Sequence, residues 1–171
     1  MDCGCYAIHS MRHILGEEPV ECTSSEVTPS YRTCGVKNDE EKKQIDGTTI
    51  AEYSFPSGAV GKIECSLNGS LFKDSWLPYM EVQGTKGSLH WTNLVLPTAY
   101  HSITVKTDKG TRTEKNYGDG GATYLYQLRA FADAVFEHKP LLTPGEDGVK
   151  NMRVVDMTYR KAGLLPRGEI N

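Results

Sequence analysis

Three times in this chain a run of alternating apolar and polar residues stops at a short glycine-bearing turn and then resumes, and that pattern limits the fold more than any other feature. IDGTTIAEYSF and AVGKIECSL meet at Pro56 to Gly58, YMEVQG and GSLHWTN at a turn bracketed by Gly84 and Gly87, and HSITVKT and GTRTEKNY around Asp108 to Gly110. Alternation with period two marks a strand with two unlike faces, and a short turn rich in glycine marks a hairpin. Strands joined this way pair antiparallel, because parallel neighbours need a crossover of about a dozen residues. Upstream, Pro19 to Val27 is also strand-like, and Ser30 to Gln44, with its cluster KNDEEKKQ, is expected to be an exposed loop. The chain is therefore predicted to form a mostly antiparallel meander.

Helices flank the strands. The opening residues are helix-like, and TYLYQLRAFADAVFEHK sets Leu125, Leu128, Phe131, Ala132, Val135 and Phe136 on one face at 3.6-residue spacing. The last helix is predicted to start at Thr143 to Glu146, with Thr143 as the cap, Pro144 in the first turn and Glu146 closing a capping box. It should run through Met152, Val155, Tyr159 and Ala162 to a stop at Gly163. The expected class is α+β, a large open, mostly antiparallel sheet with helices packed on one face. No repeat or linker divides the 171 residues, so residues 1–171 read as a single domain.

A formal net charge of -3 argues against a nucleic-acid surface or a polybasic membrane face, which leaves a small organic molecule or another protein as partner. Cys3, Cys5, Cys22, Cys34 and Cys65 are an odd number without paired zinc spacing, and the first residues lack the pattern of a signal peptide. No apolar run reaches the ~18 residues of a membrane helix. A cytoplasmic protein is expected, without structural disulfides and without a metal.

The opening helix carries the candidate chemistry. At about 100° per residue, Asp2, Tyr6, His9 and His13 share a stripe roughly 60° wide, with Gly4, Ile8, Met11 and Leu15 opposite. Asp2 is placed to cap the helix. Tyr6 and His9 have two readings: partly buried side chains with satisfied hydrogen bonds, or a phenol that exchanges a proton and an imidazole that tunes it. Helical spacing alone leaves both open.

The run MDCGCYAIH followed by RHILGEEP resembles the segment that opens the C-terminal domain of the Gfo/Idh/MocA oxidoreductases, in particular the branch with dimeric dihydrodiol dehydrogenases, glucose-fructose oxidoreductase and fungal sugar dehydrogenases. The likeness continues through FPSGAVG, VQGTKGSL, YLYQLRAF, TPGEDGVKNMR and YRKAGL, in order across nearly the whole chain. It implies a substrate pocket beside a large sheet and commonly a dimer through that sheet. Many members carry a histidine four residues after the aspartate; this chain has Tyr6 there, which matches the branch where the tyrosine is the proposed proton donor or acceptor. His9 usually faces the same pocket.

The family's cofactor-binding half is not among these residues. No G-x-G-x-x-G follows a strand, and His138-Lys139-Pro140 only echoes the family's E-K-P motif at the end of a helix. No cofactor is therefore expected on this chain. Asp2, Tyr6 and His9 stand as the acid-base candidates, and His13, His101, Tyr124 and Gln127 as ligand-binding candidates, with simple surface or structural roles open for each. The preferred expectation is a stand-alone relative without a Rossmann domain that binds a small organic molecule and catalyses a cofactor-independent isomerisation, cyclisation or elimination. The alternatives are the C-terminal part of an NAD(P)-dependent dihydrodiol or sugar dehydrogenase, and a non-catalytic binding or dimerisation module. A homodimer through the sheet is expected, with Trp91 near its centre and Trp76 as a pocket wall or a sheet anchor.

Overall fold

The computed structural model describes residues 3–30, 45–68, 77–98, 100–118 and 122–166. The chain is α+β, with three helices and two antiparallel sheets among these residues. It divides into two compact units, one formed by Met1–Gly69 with Thr143–Asn171 and the other by Ser70–Leu142.

The first unit contains α1 (Gly4–Leu15), the strands β1 (Glu21–Pro29), β2 (Asp46–Ser54) and β3 (Val60–Ser66), and the C-terminal helix, here α3 (Gly145–Lys161). Its sheet runs β1-β2-β3, every pairing antiparallel. The β2–β3 hairpin turns where the sequence predicts: Gly58 takes φ 84° and donates its amide to Phe55, a conformation that glycine adopts without strain. Burial on β2 alternates strictly, with Gly47, Thr49, Ala51 and Tyr53 inward. Tyr53 lies directly opposite Gly61 in the register, so the two share a face.

Both helices of this unit cover that face. Tyr53 reaches Thr158 of α3, and a Cβ added at Gly61 would collide with Met11 of α1, so the missing side chain is what allows α1 to approach the sheet. The core formed between them contains Ile8, Met11, Cys22, Ala51, Tyr53, Phe55, Ile63, Val154, Val155 and Tyr159. The helix-angle reading of α1 holds, since Gly4, Ile8 and Met11 are buried and Leu15 packs against the core from its edge.

The Tyr53 hydroxyl is one buried polar group in that core. Thr158 Oγ1 donates to the Val154 carbonyl at 2.7 Å, so its one proton is used and Tyr53 must donate to it across 2.6 Å. Burial pushes the Tyr53 phenol well above the usual tyrosine range. A group whose pKa is raised by folding stabilises the native state below its unfolded pKa and loses that contribution as pH rises. Stability is therefore expected to fall above about pH 10. Tyr53→Phe should cost about 0.5–1.5 kcal/mol at neutral pH and flatten this alkaline limb, both measurable by chemical denaturation at pH 7 and 10.5.

The second unit contains β4 (Tyr79–Gly84), β5 (Gly87–Thr92), β6 (His101–Thr107), β7 (Gly110–Asn116) and α2 (Thr123–Glu137). The strands form one antiparallel sheet in sequence order, with two-residue hairpin turns after Gly84 and Thr107. Its register sorts the side chains by face. Tyr79, Glu81, His90, Thr92, Ser102 and Thr104 lie on one face, and Met80, Val82, Leu89, Trp91, Ile103 and Val105 on the other.

Three expectations need adjusting. The meander is shared between two sheets, because alternation identifies strands but says nothing about pairing across the long connection from Ser66 to Tyr79. The α2 helix forms as predicted, yet none of its residues is buried, and Phe131 and Phe136 are 59% and 82% exposed. A 3.6-residue stripe establishes an amphipathic helix, not what covers it. At α3 the cap is Pro144, and no side chain caps the helix; Thr143 and Glu146 do not form the expected box. The loop at 31–44 lies outside the described residues, as do Cys34 and Trp76.

Candidate active site

The exposed side of α1 brings together Tyr6, His9 and His13. Tyr6 is 55% exposed, and the His9 and His13 rings stack with centroids 6.0 Å apart and planes 19° from parallel. Asp2, which shares their stripe in the sequence, lies outside the described residues.

Beneath this face sits a charged cluster that the stripe does not reveal. Arg12 is buried, and its guanidinium is gripped by Glu18 through two hydrogen bonds, from Nε at 2.7 Å and from Nη2 at 2.8 Å. The same Nη2 reaches Asp147 Oδ1 at 2.8 Å, while Nη1 donates to Asn151 Oδ1 at 3.1 Å. Asn151 in turn donates from Nδ2 to the Cys5 carbonyl at 3.1 Å. Two residues of the first turns of α3 are thereby tied to α1. The paired guanidinium holds Glu18 below the usual carboxylate range.

His9 joins the cluster. Its Nδ1 lies 3.2 Å from Asp147 Oδ2, so one carboxylate spans the buried arginine and the half-exposed imidazole. The signals were present in the sequence as Arg12, the Glu17-Glu18 pair and the acidic first turn Glu146-Asp147. Joining them requires the tertiary contact of two helices more than a hundred residues apart.

The remaining candidates belong to the second unit. His101 opens β6, and its Nδ1 is 3.0 Å from the Pro97 carbonyl, which occupies that nitrogen in a loop contact. Tyr124 and Gln127 lie one turn apart on α2, both exposed. His138 closes α2 in the left-handed conformation, so the His-Lys-Pro run is a helix terminus. Cys3, Cys5, Cys22 and Cys65 are thiols, and no group of three or more metal-ligating side chains gathers among the described residues. No helix described is long and apolar enough to cross a membrane.

Among the described residues no dinucleotide-binding turn is formed. Every strand pairing is antiparallel, so the described residues contain no parallel strand-helix-strand unit whose first turn could cradle a pyrophosphate.

An α+β domain with an exposed tyrosine and two histidines on its opening helix is the class of protein defined so far, and comparison gives it a family. Residues 1–163 match the C-terminal alpha/beta domain of the Gfo/Idh/MocA oxidoreductase family, and the chain belongs to that family. It is 32% identical over 165 residues to a D-xylose 1-dehydrogenase (NADP(+)) of Haloferax volcanii, a match covering 95% of this chain and 45% of that protein. Among solved structures it resembles an aldose-aldose oxidoreductase from Caulobacter crescentus complexed with glycerol, at TM-score 0.73 and 19% identity over 94% of this chain and 44% of the other. A 3-ketoreductase from Actinomadura kijaniata in complex with TDP-benzene and NADP aligns at TM-score 0.70 and 15% identity, over 91% and 45% of the two chains. The chain spans a little under half the length of these relatives.

Proposed function

We propose that this chain is the substrate-binding part of an NAD(P)-dependent sugar dehydrogenase, with an aldose seated over the polar face of α1. The observation that carries this reading is the match to a D-xylose dehydrogenase along 95% of the chain. The exposed apolar stripe of α2 supports it as well, since contiguous apolar surface of this kind marks a place where another polypeptide packs. A cofactor-independent isomerisation, cyclisation or elimination, the reading preferred from sequence, draws no support from relatives that are a dehydrogenase, an oxidoreductase and a ketoreductase.

In this reading the chain's own residues handle the proton. Oxidising a sugar hydroxyl requires its O–H proton to leave; the Tyr6 oxygen takes it as the phenol passes its own proton to His9, one turn along the helix. His13 extends the same face toward the sugar. Asp2 is a further candidate on this face, and His101, Tyr124 and Gln127 remain ligand-binding candidates of the second unit. The nucleotide is held by residues other than those described. Joining this chain to the nucleotide-binding half of the Haloferax volcanii enzyme should give a protein that oxidises an aldose with NADP+. A cooperatively melting fusion that turns over no aldose contradicts the proposal.

A homodimer through the four-stranded sheet accompanies it. Trp91 sits between Met80 and Ile103 on the apolar face, which is only half-buried in one copy. Trp91→Asp should convert a dimer to a monomer in sedimentation equilibrium at tens of micromolar; a wild-type chain that is already monomeric there overturns the assembly.

A further inference from the structure

The site above leaves one carboxylate unexplained. Asp147 is in the first turn of α3, where its charge also meets the positive end of the helix dipole, and it offers one oxygen to buried Arg12 and the other to His9. Arg12 is itself clamped by Glu18 through two hydrogen bonds and by Asn151. Asp147 is thus fixed from behind by a guanidinium whose orientation is set by three other hydrogen bonds. That is more restraint than is needed to join two helices, which Asn151 already does through Arg12 and the Cys5 carbonyl.

We propose that Asp147 is a positioning residue that sets the tautomer of His9, keeping the proton on Nδ1 and the lone pair of the neutral ring on Nε2. A carboxylate is an acceptor only, so the approach of Oδ2 to within 3.2 Å of Nδ1 favours the tautomer with hydrogen on that nitrogen. Which imidazole nitrogen is protonated follows from the hydrogen bond that the other one makes. The ring's orientation is fixed from two sides, by Asp147 at Nδ1 and by the stacked His13 ring. The consequence for the proposed chemistry is a His9 that offers Nε2 as a proton acceptor, on the helix side it shares with Tyr6, rather than a rotating ring with either nitrogen protonated. The catalytic meaning rests on the sugar dehydrogenase reading; the tautomer itself does not.

The test is long-range 1H–15N correlation NMR of the chain at a pH where His9 is neutral. The wild-type protein should show the Nδ1–H form at His9, against the Nε2–H form that histidine prefers in water. Asp147→Ala should switch His9 to predominantly Nε2–H while leaving His101, whose Nδ1 is held by a carbonyl, unchanged. A wild-type His9 already in the Nε2–H form overturns the proposal without any variant, as does a His9 that keeps Nδ1–H in a folded Asp147→Ala chain. Asp147→Glu restoring the Nδ1–H form supports it. An inactive fusion enzyme would sink the sugar dehydrogenase reading and leave this result standing.

Discussion

Tyr6→Phe lowers aldose oxidation by ~10²–10⁴-fold in the enzyme assembled with a nucleotide-binding half, the range for loss of a general acid-base group. The ring remains and only the hydroxyl goes. Because the side chain is more than half exposed, the loss should leave the melting midpoint nearly unchanged. A structural tyrosine predicts the opposite, about 1 kcal/mol of stability lost with turnover intact. His9→Gln should cost less rate and change the pH dependence of what remains, because the phenol stays in place and only the group that takes its proton is lost. Measuring rate and thermal midpoint on the same two variants separates these outcomes, and unchanged rates in both end the case for α1.

Arg12→Ala is expected to cost about 2–3 kcal/mol of stability at neutral pH. Removing one member of a buried ion pair costs more than the pair contributes, because its partners are left unmatched. The value is set below the fully buried range because Glu18 and Asp147 retain 46% and 25% of their side-chain exposure and water screens them. The pH dependence has a definite sign. Glu18 is held below its ordinary pKa, so its share of stability is present above the ordinary carboxylate range and is lost as pH falls through the lowered value. The gap between wild type and Arg12→Ala should therefore narrow on acidification below about pH 4. Chemical denaturation at pH 7 and pH 3.5 measures it, and a gap that widens with acid would show that the cluster is not held by charge.

The sequence was most informative where structure is local. The three hairpins fall where Gly58, Gly87 and Gly110 place them, each at positive φ, and the buried side of α1 follows from helical angles alone. The family likewise follows from short motifs, because they record backbone turns and helix ends in a fixed order. Tertiary choices were less legible. Arg12 lies beside the polar stripe of α1, and nothing in its neighbours says that it is buried against residues 147 and 151. The Thr143 cap was a sound local reading that failed because the helix starts one residue later, leaving Pro144, which has no side-chain oxygen, at the cap position. The α2 stripe shows the same limit, since periodicity tells which face is apolar and leaves the occupant unnamed.

Whether a sugar occupies α1 is answered most directly by titrating the 15N-labelled chain with D-xylose, up to ~100 mM so that millimolar binding is reached. The account predicts saturable shifts concentrated on α1, at Tyr6, His9 and His13, with Tyr6→Phe weakening them. Shifts that are absent throughout the titration, or that saturate only on residues away from α1, would contradict it.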